Sequence, residues 1–492
     1  MKVKFEIIDY LELSLWIVTA AIFANKQLID LDLAWHLAGG LYMLERGDVP
    51  AADPFLIGAP FWWNYSWLFQ LALIPFFKLG GFVAVQIVQI LLVIFLTQAI
   101  FLLVHFCAVK DTISQSFRYG RLIAFILALF MVYPIAYLRP QLISMLFFCW
   151  LLYWAETGKL NLFKSILLVV FWSNIHVYWL LVPCVYFAYL VFPLMLRRQS
   201  VIMPCLHLLL ISSAALISPY GIENIVGVYK YLFDHAEAYS MINEFQPISP
   251  SQGISFWIYC VALAGVAFRY KKAFTLANAP SLLLFCVFGA LAAYRMKYLP
   301  IFGLSVAVLY ARLLAPETLN CEQLSIKQLP IWCSRALSVI IFVIFALLCL
   351  TQQRDSMVIG EDKAELLKIS QMIVETEQDY QGVLRILTHF DNGGWVDLGL
   401  FLAKQENNAK VDARIFVDGR TLVAGAERLR DFDDLRLKKN NWQDVLKRWQ
   451  FAYAVLSKNN SITEIISEDQ LVPRWQKLWS SENWVVFTAH KN

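Results

Sequence analysis

Residues 82–107 read FVAVQIVQILLVIFLTQAIFLLVHFC, a stretch without a single Asp, Glu, Lys or Arg. A helix needs about 20 apolar residues to cross the hydrocarbon core of a bilayer, which is about 30 Å thick. Similar runs lie near 8–25, 120–138, 141–157, 161–177, 179–196, 202–217, 253–268, 279–293, 298–314 and 335–351. The sequence therefore predicts a mainly α, polytopic helical membrane protein with about eleven spans.

The composition is typical of a membrane protein, and it argues against a nucleic-acid-binding protein and against a tail held together by disulfides. Hydrophobic residues make up 59% of the chain and charged residues 16%, whereas soluble domains average about 45–50% and about 25%. The net charge of +4 is spread along the chain, without the basic tract that a nucleic-acid groove needs. The nine cysteines show no metal-ligand spacing, and none lies after residue 349, so the tail is not held together by disulfides.

Lys and Arg residues in short loops predict the orientation, because such loops stay in the cytoplasm. The clusters are Lys110, Arg118 and Arg121; Lys159 and Lys164; Arg197 and Arg198; Arg269, Lys271 and Lys272; and Arg312, Lys327 and Arg335. With these inside, the loop 26–80, the loop 218–252 and the tail after about residue 352 lie outside. The N-terminal run predicts a first span rather than a cleaved signal peptide, because Asp9 and Glu12 interrupt it.

Residues 66–79 are apolar but short for a crossing, and a crossing there would move all the basic clusters outside. We therefore expect an interfacial helix on the outer leaflet. Pro75, Lys78 and the pair Gly80-Gly81 would then turn the chain into the next span.

The tail has a different pattern, which predicts a small soluble α/β domain. Residues 361–378 form an amphipathic helical pattern, and further helical patterns lie near 441–449 and 461–468. Short strands are predicted at Val383–Thr388, Arg414–Val417, Phe451–Leu456 and Trp484–Thr488. The predicted domains are thus a membrane domain, 1–351, and an extracytoplasmic α/β domain, 352–492.

The first outer loop, 26–80, holds the residues best suited to chemistry. Asp30 and Asp32 follow the first predicted span within the motif Asp30-Leu31-Asp32-Leu33-Ala34-Trp35-His36, and Asp53 lies further along the loop. A carboxylate at the membrane surface can act as a general base, and several together can bind a hard divalent cation. The structural alternative is an ordinary polar loop with interfacial Trp anchors.

The order of motifs resembles bacterial polytopic glycosyltransferases of the GT-C superfamily, most closely a branch with a C-terminal periplasmic α/β domain. The resemblance begins with the Asp30–His36 motif, Asp53-Pro54-Phe55 and Trp67-Leu68. It continues through Arg139-Pro140-Gln141, Trp172–His176, Ser218–Gly221, Glu244, Tyr294–Lys297 with Pro300, Asn392–Trp395 and Phe416–Arg420. Ala34 departs from it, since relatives tend to carry an aromatic residue there.

The resemblance implies an inverting sugar transfer from a polyprenyl-phosphate-linked donor to an envelope acceptor, in the cell inner (plasma) membrane among its lipids. Asp32 or Asp30 would be the general base, and Asp53 a second acidic residue that orients the acceptor or a metal. The need for a divalent cation such as Mg or Mn varies in the superfamily, so the metal stays open.

The expected substrate-binding residues are Trp35, His36, Asn64, Arg139, His176, Glu244, Arg295, Lys297 and Arg420. Each has a structural alternative. Arg139 or Arg295 can bind a donor phosphate, but cations at span ends also snorkel. His36 stands four residues after Asp32 and can share a helical face with it, whereas His176 is more typical of a satisfied interior histidine. Asp418-Gly419-Arg420 favours a tight turn with a surface ion pair; in the alternative, Arg420 or Trp395 helps to bind the acceptor.

Two other functions fit parts of the sequence. A transporter or flippase for a lipid-linked glycan would place charges at mid-membrane depth, but the centres of the predicted spans are nearly free of charge. A non-catalytic envelope assembly protein would need its tail but not the aspartates of the loop.

Overall fold

The computed structural model describes residues 14, 28, 30–106, 115–233, 242–268, 270–314, 358–439, 441–467 and 475–489, which form two compact units. The first unit contains the described residues of 1–26, 87–225 and 242–352, and the second those of 27–86, 226–241 and 353–492. The first outer loop thus packs in one unit with the tail, which the sequence did not predict. The domain boundary near residue 351 stays a prediction.

The first unit is built from helices that follow the apolar runs. Its longer helices are Gln115–Val132, Pro140–Glu156, Leu162–Trp172, Ile202–Ser213, Ile254–Phe268, Ala279–Tyr294 and Leu299–Leu314. Shorter pieces are Leu181–Tyr186, the π-helical Phe187–Val191, Phe192–Leu196 and Tyr270–Ala273, with 3₁₀ turns at Tyr133–Ile135, Val177–Leu180, Ala214–Leu216, Asn243–Phe245, Pro250–Gln252 and Met296–Tyr298. Most bounds lie within a few residues of the predicted spans.

Three helices among the described residues are long and apolar enough to cross a membrane, namely Trp67–Val104, Val177–Leu196 and Met296–Leu313. Five further apolar helices, Leu122–Val132, Leu162–Trp172, Ile202–Leu216, Ile254–Phe268 and Ala279–Tyr294, are shorter. The predicted number of eleven spans is therefore not confirmed. Apart from residue 14, the predicted first span lies outside the described residues, as does the predicted last span, 335–351.

The Trp67–Phe106 helix breaks at the glycine pair that the sequence marked as a turn. Gly80 has φ −156° and ψ 29°, and Gly81 has φ 57° and ψ −147°, so neither residue is helical. A positive φ with a strongly negative ψ is accessible to glycine alone among the common residues. The break therefore separates residues 67–79 from residues 82–106, and the interfacial position of residues 67–79 stays a prediction.

The second unit contains a mixed sheet of five strands, which are β1, Val383–Thr388; β2, Asp412–Ile415; β3, Tyr453–Ser457; β4, Trp475–Ser480; and β5, Trp484–Ala489. Their order in the sheet is β2-β1-β3-β5-β4. β1 pairs in parallel with β2 and β3, and β5 pairs antiparallel with β3 and β4. Its helices are Leu33–Arg46, the Trp67 end of the broken helix, most of Glu223–Phe233, Glu361–Thr376, Gly393–Asn407, Thr421–Arg436, Trp442–Trp449 and Ser461–Ile466.

The first outer loop extends the sheet at its β2 edge. Leu56 pairs in parallel with Ile415. The Ile57 N–H donates to Ile415 O at 3.0 Å, and the Ile415 N–H donates to Phe55 O at 2.9 Å. The Ile57 side chain joins the core of the tail beside Leu387 and Phe416. These two hydrogen bonds satisfy the outward-facing backbone groups of Ile415 at the end of the edge strand.

The predicted small α/β domain is confirmed in its main elements and differs in detail. Strand β2 begins two residues earlier than predicted and ends at Ile415, one residue before a bend at Phe416. Strand β4 was not predicted, since Trp475–Ser480 mixes exposed polar and apolar residues without a clear alternation. The long helices Gly393–Asn407 and Thr421–Arg436 were also not predicted.

Candidate active site

Asp32 lies at the start of the Leu33–Arg46 helix as its N-cap residue. Its backbone N–H donates to Asp30 Oδ1 at 2.8 Å, and its own Oδ1 accepts from Trp35 Nε1 at 3.0 Å. Asp30 is buried, with 3% of its surface exposed, whereas Asp32 is half-buried. The two carboxylates therefore differ in role, because Asp30 shapes the turn and Asp32 is the more accessible of the two.

Asp53 forms a second turn in the same loop and is completely buried. Its Oδ1 accepts from the backbone N–H groups of Phe55 at 2.9 Å and Leu56 at 2.7 Å. Its Oδ2 accepts from Arg420 Nη1. One carboxylate oxygen of Asp53 thus accepts hydrogen bonds from the loop itself, and the other accepts one from the tail.

Arg420 is the centre of a buried charge cluster. Its Nε donates to Asp418 Oδ2 at 2.7 Å, and its Nη2 donates to the same oxygen. Asp397 Oδ2 lies 3.8 Å from Nη2. The rings of Trp62, Phe55 and Trp35 surround the guanidinium, with centroids 4.9, 5.5 and 5.6 Å from its Cζ. The expected ion pair between Asp418 and Arg420 exists, but it is buried rather than on the surface, because the loop covers it.

Three carboxylates face one guanidinium in this cluster, so full ionisation would leave excess negative charge in a buried place. Burial, and then Asp418, raise the pKa of Asp397 well above its usual range. Burial also raises the pKa of Asp53, although Arg420 opposes that shift. For Arg420, burial works against the charged form, but Asp418, Asp53 and Asp397 together raise its pKa. Asp397 is the carboxylate farthest from the guanidinium, so Arg420 offsets the effect of burial on its pKa least.

The donor set does not fit a divalent cation at Asp53. Both of its oxygens already accept hydrogen bonds, and a guanidinium occupies the side on which a cation would bind. Within the described part of the chain, no three His, Cys, Asp or Glu side chains are grouped as metal ligands.

His36 and Asn64 belong to a buried polar network centred on Gln70. Asn64 Nδ2 donates to Gln70 Oε1 at 2.7 Å, and Gln70 Nε2 donates to Asn64 Oδ1 at 2.9 Å. Gln70 Nε2 also lies 3.3 Å from His36 Nδ1. The network fixes the start of the Trp67 helix against the Leu33–Arg46 helix. The Trp35 ring stacks on His36 at a centroid distance of 3.6 Å and thus extends the packing to Asp32.

In the first unit, two of the expected substrate-binding cations meet at Phe245. Lys297 Nζ lies 3.8 Å from the centroid of the Phe245 ring, and Arg295 Cζ lies 5.8 Å from it. Arg295 is buried, with 7% of its surface exposed. Glu244 is exposed in the 3₁₀ turn Asn243–Phe245. Sequence positions about 50 residues apart are thus brought together as a compact group of charges.

Arg139 and His176 lie at helix ends of the same unit. Arg139 is half-buried and precedes the Pro140–Glu156 helix as its N-cap residue. His176 is buried, and its Nδ1 lies 2.9 Å from Ser144 Oγ, which also accepts from Trp172 Nε1 at 2.9 Å. This arrangement is that of a satisfied interior histidine.

Asp397, Gln70 and Arg428 were not singled out from the sequence. Arg428 Nη2 donates to Ile57 O at 2.6 Å and Nη1 donates to Phe416 O at 2.9 Å, so it ties the loop to the tail. Gln70 could have been found from the sequence, because it lies inside an apolar helical run. A buried amide requires hydrogen-bond partners, so such a glutamine indicates a buried polar network. Asp397 follows the quoted Asn392–Trp395 motif by two residues, but nothing local indicates its burial.

No family model and no curated protein matches this chain. A crystal structure of the Archaeoglobus fulgidus oligosaccharyltransferase, tethered to an acceptor peptide with an NVT sequon, aligns with a TM-score of 0.52 at 11% identity. The alignment covers 91% of this chain and 69% of that one. The apo form of the same enzyme aligns with a TM-score of 0.49 at 10% identity, over 91% and 70% of the two chains. The chain therefore shares the fold of this oligosaccharyltransferase over the aligned residues.

Proposed function

We propose that this protein is a membrane glycosyltransferase that moves a sugar from a polyprenyl-phosphate-linked donor to an envelope acceptor, with inversion at the anomeric carbon. Asp32 is the general base. The likeness in fold to an oligosaccharyltransferase supports the reaction class, and the first-loop motif supports the choice of residue.

The observation that carries the proposal is the contrast between the three loop carboxylates. Asp30 and Asp53 are buried and accept hydrogen bonds from backbone N–H groups of their own turns. Asp32 is half-buried and is oriented by the Trp35 indole. A general base must reach the proton that it removes, and Asp32 meets this requirement best.

In the proposed step, one Asp32 oxygen takes the proton of an acceptor hydroxyl as that hydroxyl oxygen bonds to the anomeric carbon. The bond from the anomeric carbon to the phosphate oxygen breaks, and the electron pair leaves with the phosphate. Because the acceptor enters opposite the leaving group, the configuration inverts. Trp35 holds the carboxylate in place through its 3.0 Å hydrogen bond, which is the positioning that an enzyme provides to such a step.

Arg295 and Lys297 are the proposed partners of the donor phosphate, and Arg139 is a further candidate. A guanidinium binds phosphate oxygens in a bidentate manner, and an ammonium adds a point charge. Phe245 holds both cations of the pair through its ring face. They would stabilise the charge that develops on the leaving phosphate.

The proposed location is the inner membrane, with the loop 26–80 and the tail on the extracytoplasmic side. The basic clusters of the predicted inner loops support this orientation.

The test compares envelope glycans and polyprenyl-linked sugars by mass spectrometry in four strains at matched protein level: wild type, deletion, Asp32→Asn and Asp48→Asn. Asp48 lies in the same loop but is exposed, which makes it the matched control. We expect Asp32→Asn to lower transfer by about 10²–10⁴-fold, since that is the usual contribution of a general base. The strain should lose the same sugar as the deletion strain and accumulate its lipid-linked donor.

Wild-type glycans in the Asp32→Asn strain would overturn the assignment of the base. If the deletion alone changed the profile, a flippase or an assembly protein would become the better account. Loss of sugar in the Asp48→Asn strain would show that the loop responds to any change of charge.

A further inference from the structure

Arg420 has no room for a substrate. Its side chain is 3% exposed, and its three nitrogen groups face Asp418 and Asp53. Aromatic rings of the first loop cover the remaining faces of the guanidinium. A cation enclosed in this way holds two chain segments together, because a buried charge is stable only with its partners in place.

Gly419, the residue between Asp418 and Arg420, lies against the proposed base. A Cβ atom at this position would come within 2.6 Å of Asp32 Oδ1 and 3.8 Å of Trp35 Nε1. Real Cβ atoms do not approach a neighbour as closely as 2.6 Å. The φ of Gly419 is not in the left-handed region, so the requirement for glycine is one of space rather than of backbone conformation.

The same turn is fixed on both sides by contacts between the loop and the tail. Residues 55–57 pair with Ile415, immediately before the turn. Arg428, after the turn, donates to Ile57 O. The turn at residues 418–420 therefore lies between two residues of the tail, Ile415 and Arg428, that both contact the loop. The position of the loop depends on this turn.

We infer that Arg420 and Gly419 are positioning residues for the transfer reaction, supplied by the tail. Arg420 fixes Asp53 and thereby the first outer loop on the sheet of the tail, and Gly419 leaves the space in which the Asp32 carboxylate is held. The inference rests on the proposed role of Asp32 as base. Neither residue contacts the substrate.

The first experiment measures hydrogen–deuterium exchange in the detergent-solubilised full chain and needs no substrate. Arg420→Lys keeps the charge but loses the planar fork that contacts Asp418 and Asp53. We expect the amides of Phe55, Leu56 and Ile57 to exchange at least tenfold faster than in the wild type. Arg414→Lys is the matched control, because Arg414 pairs with Asp412 at the same spacing but is partly exposed. Unchanged exchange in Arg420→Lys would overturn the inference.

The second experiment measures transfer in membranes that contain total polyprenyl-linked sugars from the deletion strain. Gly419→Ala adds one methyl group against Asp32 and should lower kcat by about 10- to 100-fold, as misplacement of a catalytic group does. KM for the donor should change less than threefold, and the thermal midpoint should stay near that of the wild type. Arg420→Lys should lower kcat, and Arg414→Lys should leave it unchanged.

The outcomes separate the two proposals. If Asp32→Asn keeps its activity, the proposed base is wrong, whereas the exchange result still decides whether Arg420 holds the loop. If Asp32→Asn is inactive but Gly419→Ala and Arg420→Lys keep wild-type kcat, the positioning roles are wrong and the base stands. A large rise in KM with unchanged kcat would show that the turn contacts substrate, which also overturns the inference.

Discussion

Asp397 carries a buried carboxylate oxygen, Oδ2, without a hydrogen-bond partner among the described residues. The groups that face it are Asp418, Arg420 and Asp53. Burial and the neighbouring carboxylates raise its pKa in the folded protein, whereas an unfolded chain gives Asp a pKa of about 3.9. The folded state therefore binds one proton more than the unfolded state between these two pKa values.

Stability should consequently fall as the pH rises through that interval, by at most about 1.4 kcal/mol per pH unit for one proton, and level off above the folded pKa. The amide in Asp397→Asn resembles the protonated acid but does not titrate. The variant therefore lacks this loss of stability with rising pH. We expect the thermal midpoint of the variant in detergent, relative to the wild type, to increase between pH 5 and pH 8. Asp379→Asn, at an exposed position, should show no such trend. A constant difference across the range would mean that Asp397 is ionised in the folded protein.

At the scale of elements, glycine conformation decides where helices stop. Gly81, with φ 57° and ψ −147°, breaks the Trp67–Phe106 helix, and Gly47, with φ 76° and ψ 9°, ends the Leu33–Arg46 helix. Both values of φ are positive, but only Gly47 lies in the left-handed helical region that other residues can enter at modest cost.

Gly81→Ala should therefore destabilise the protein by about 1–3 kcal/mol, and Gly47→Ala by about 1 kcal/mol. The measurement is the unfolding midpoint in detergent, followed by tryptophan fluorescence. The order of the two variants is the critical result. If Gly81→Ala were the milder change, the break at the glycine pair would not be a fixed feature of the helix.

The sequence predicts elements well where local periodicity is strong. Apolar runs located most of the helices of the first unit, and β-branched runs located β1 and β5. It does not predict the pairing of Leu56 with Ile415 or the contact of Asp53 with Arg420, because each joins residues more than 350 positions apart. Asp53 and Arg420 were both singled out, but each for contact with substrate or metal, since motif spacing contains no information about their mutual distance.

For the whole molecule, the loop and the tail form one unit, so the tail should be required for catalysis. Removal of residues 353–492 takes away the partner of a buried carboxylate, a change that typically costs about 3–5 kcal/mol. We expect loss of transfer together with rapid proteolysis of the loop near residues 51–60. Glycan mass spectrometry and limited proteolysis of membranes measure the two effects.

Asp32→Asn in the full chain supplies the comparison. It should lower transfer by about 10²–10⁴-fold while the loop stays resistant to protease. An assembly protein would show the opposite pattern, in which truncation destroys function and Asp32→Asn does not. Truncated protein that still transfers sugar would show that the loop holds its carboxylates without the tail.

Asp53 and Arg420 are 367 residues apart in the sequence. This separation determines when their contact can form during synthesis. At about 5–20 residues per second, the ribosome releases the loop roughly 20–70 s before its arginine. Throughout that delay the nascent chain carries an aspartate whose buried setting does not yet exist, so the loop must remain hydrated. The contact between Asp53 and Arg420 can therefore form only after residue 420 has been synthesised, and chains that terminate before that residue lack it.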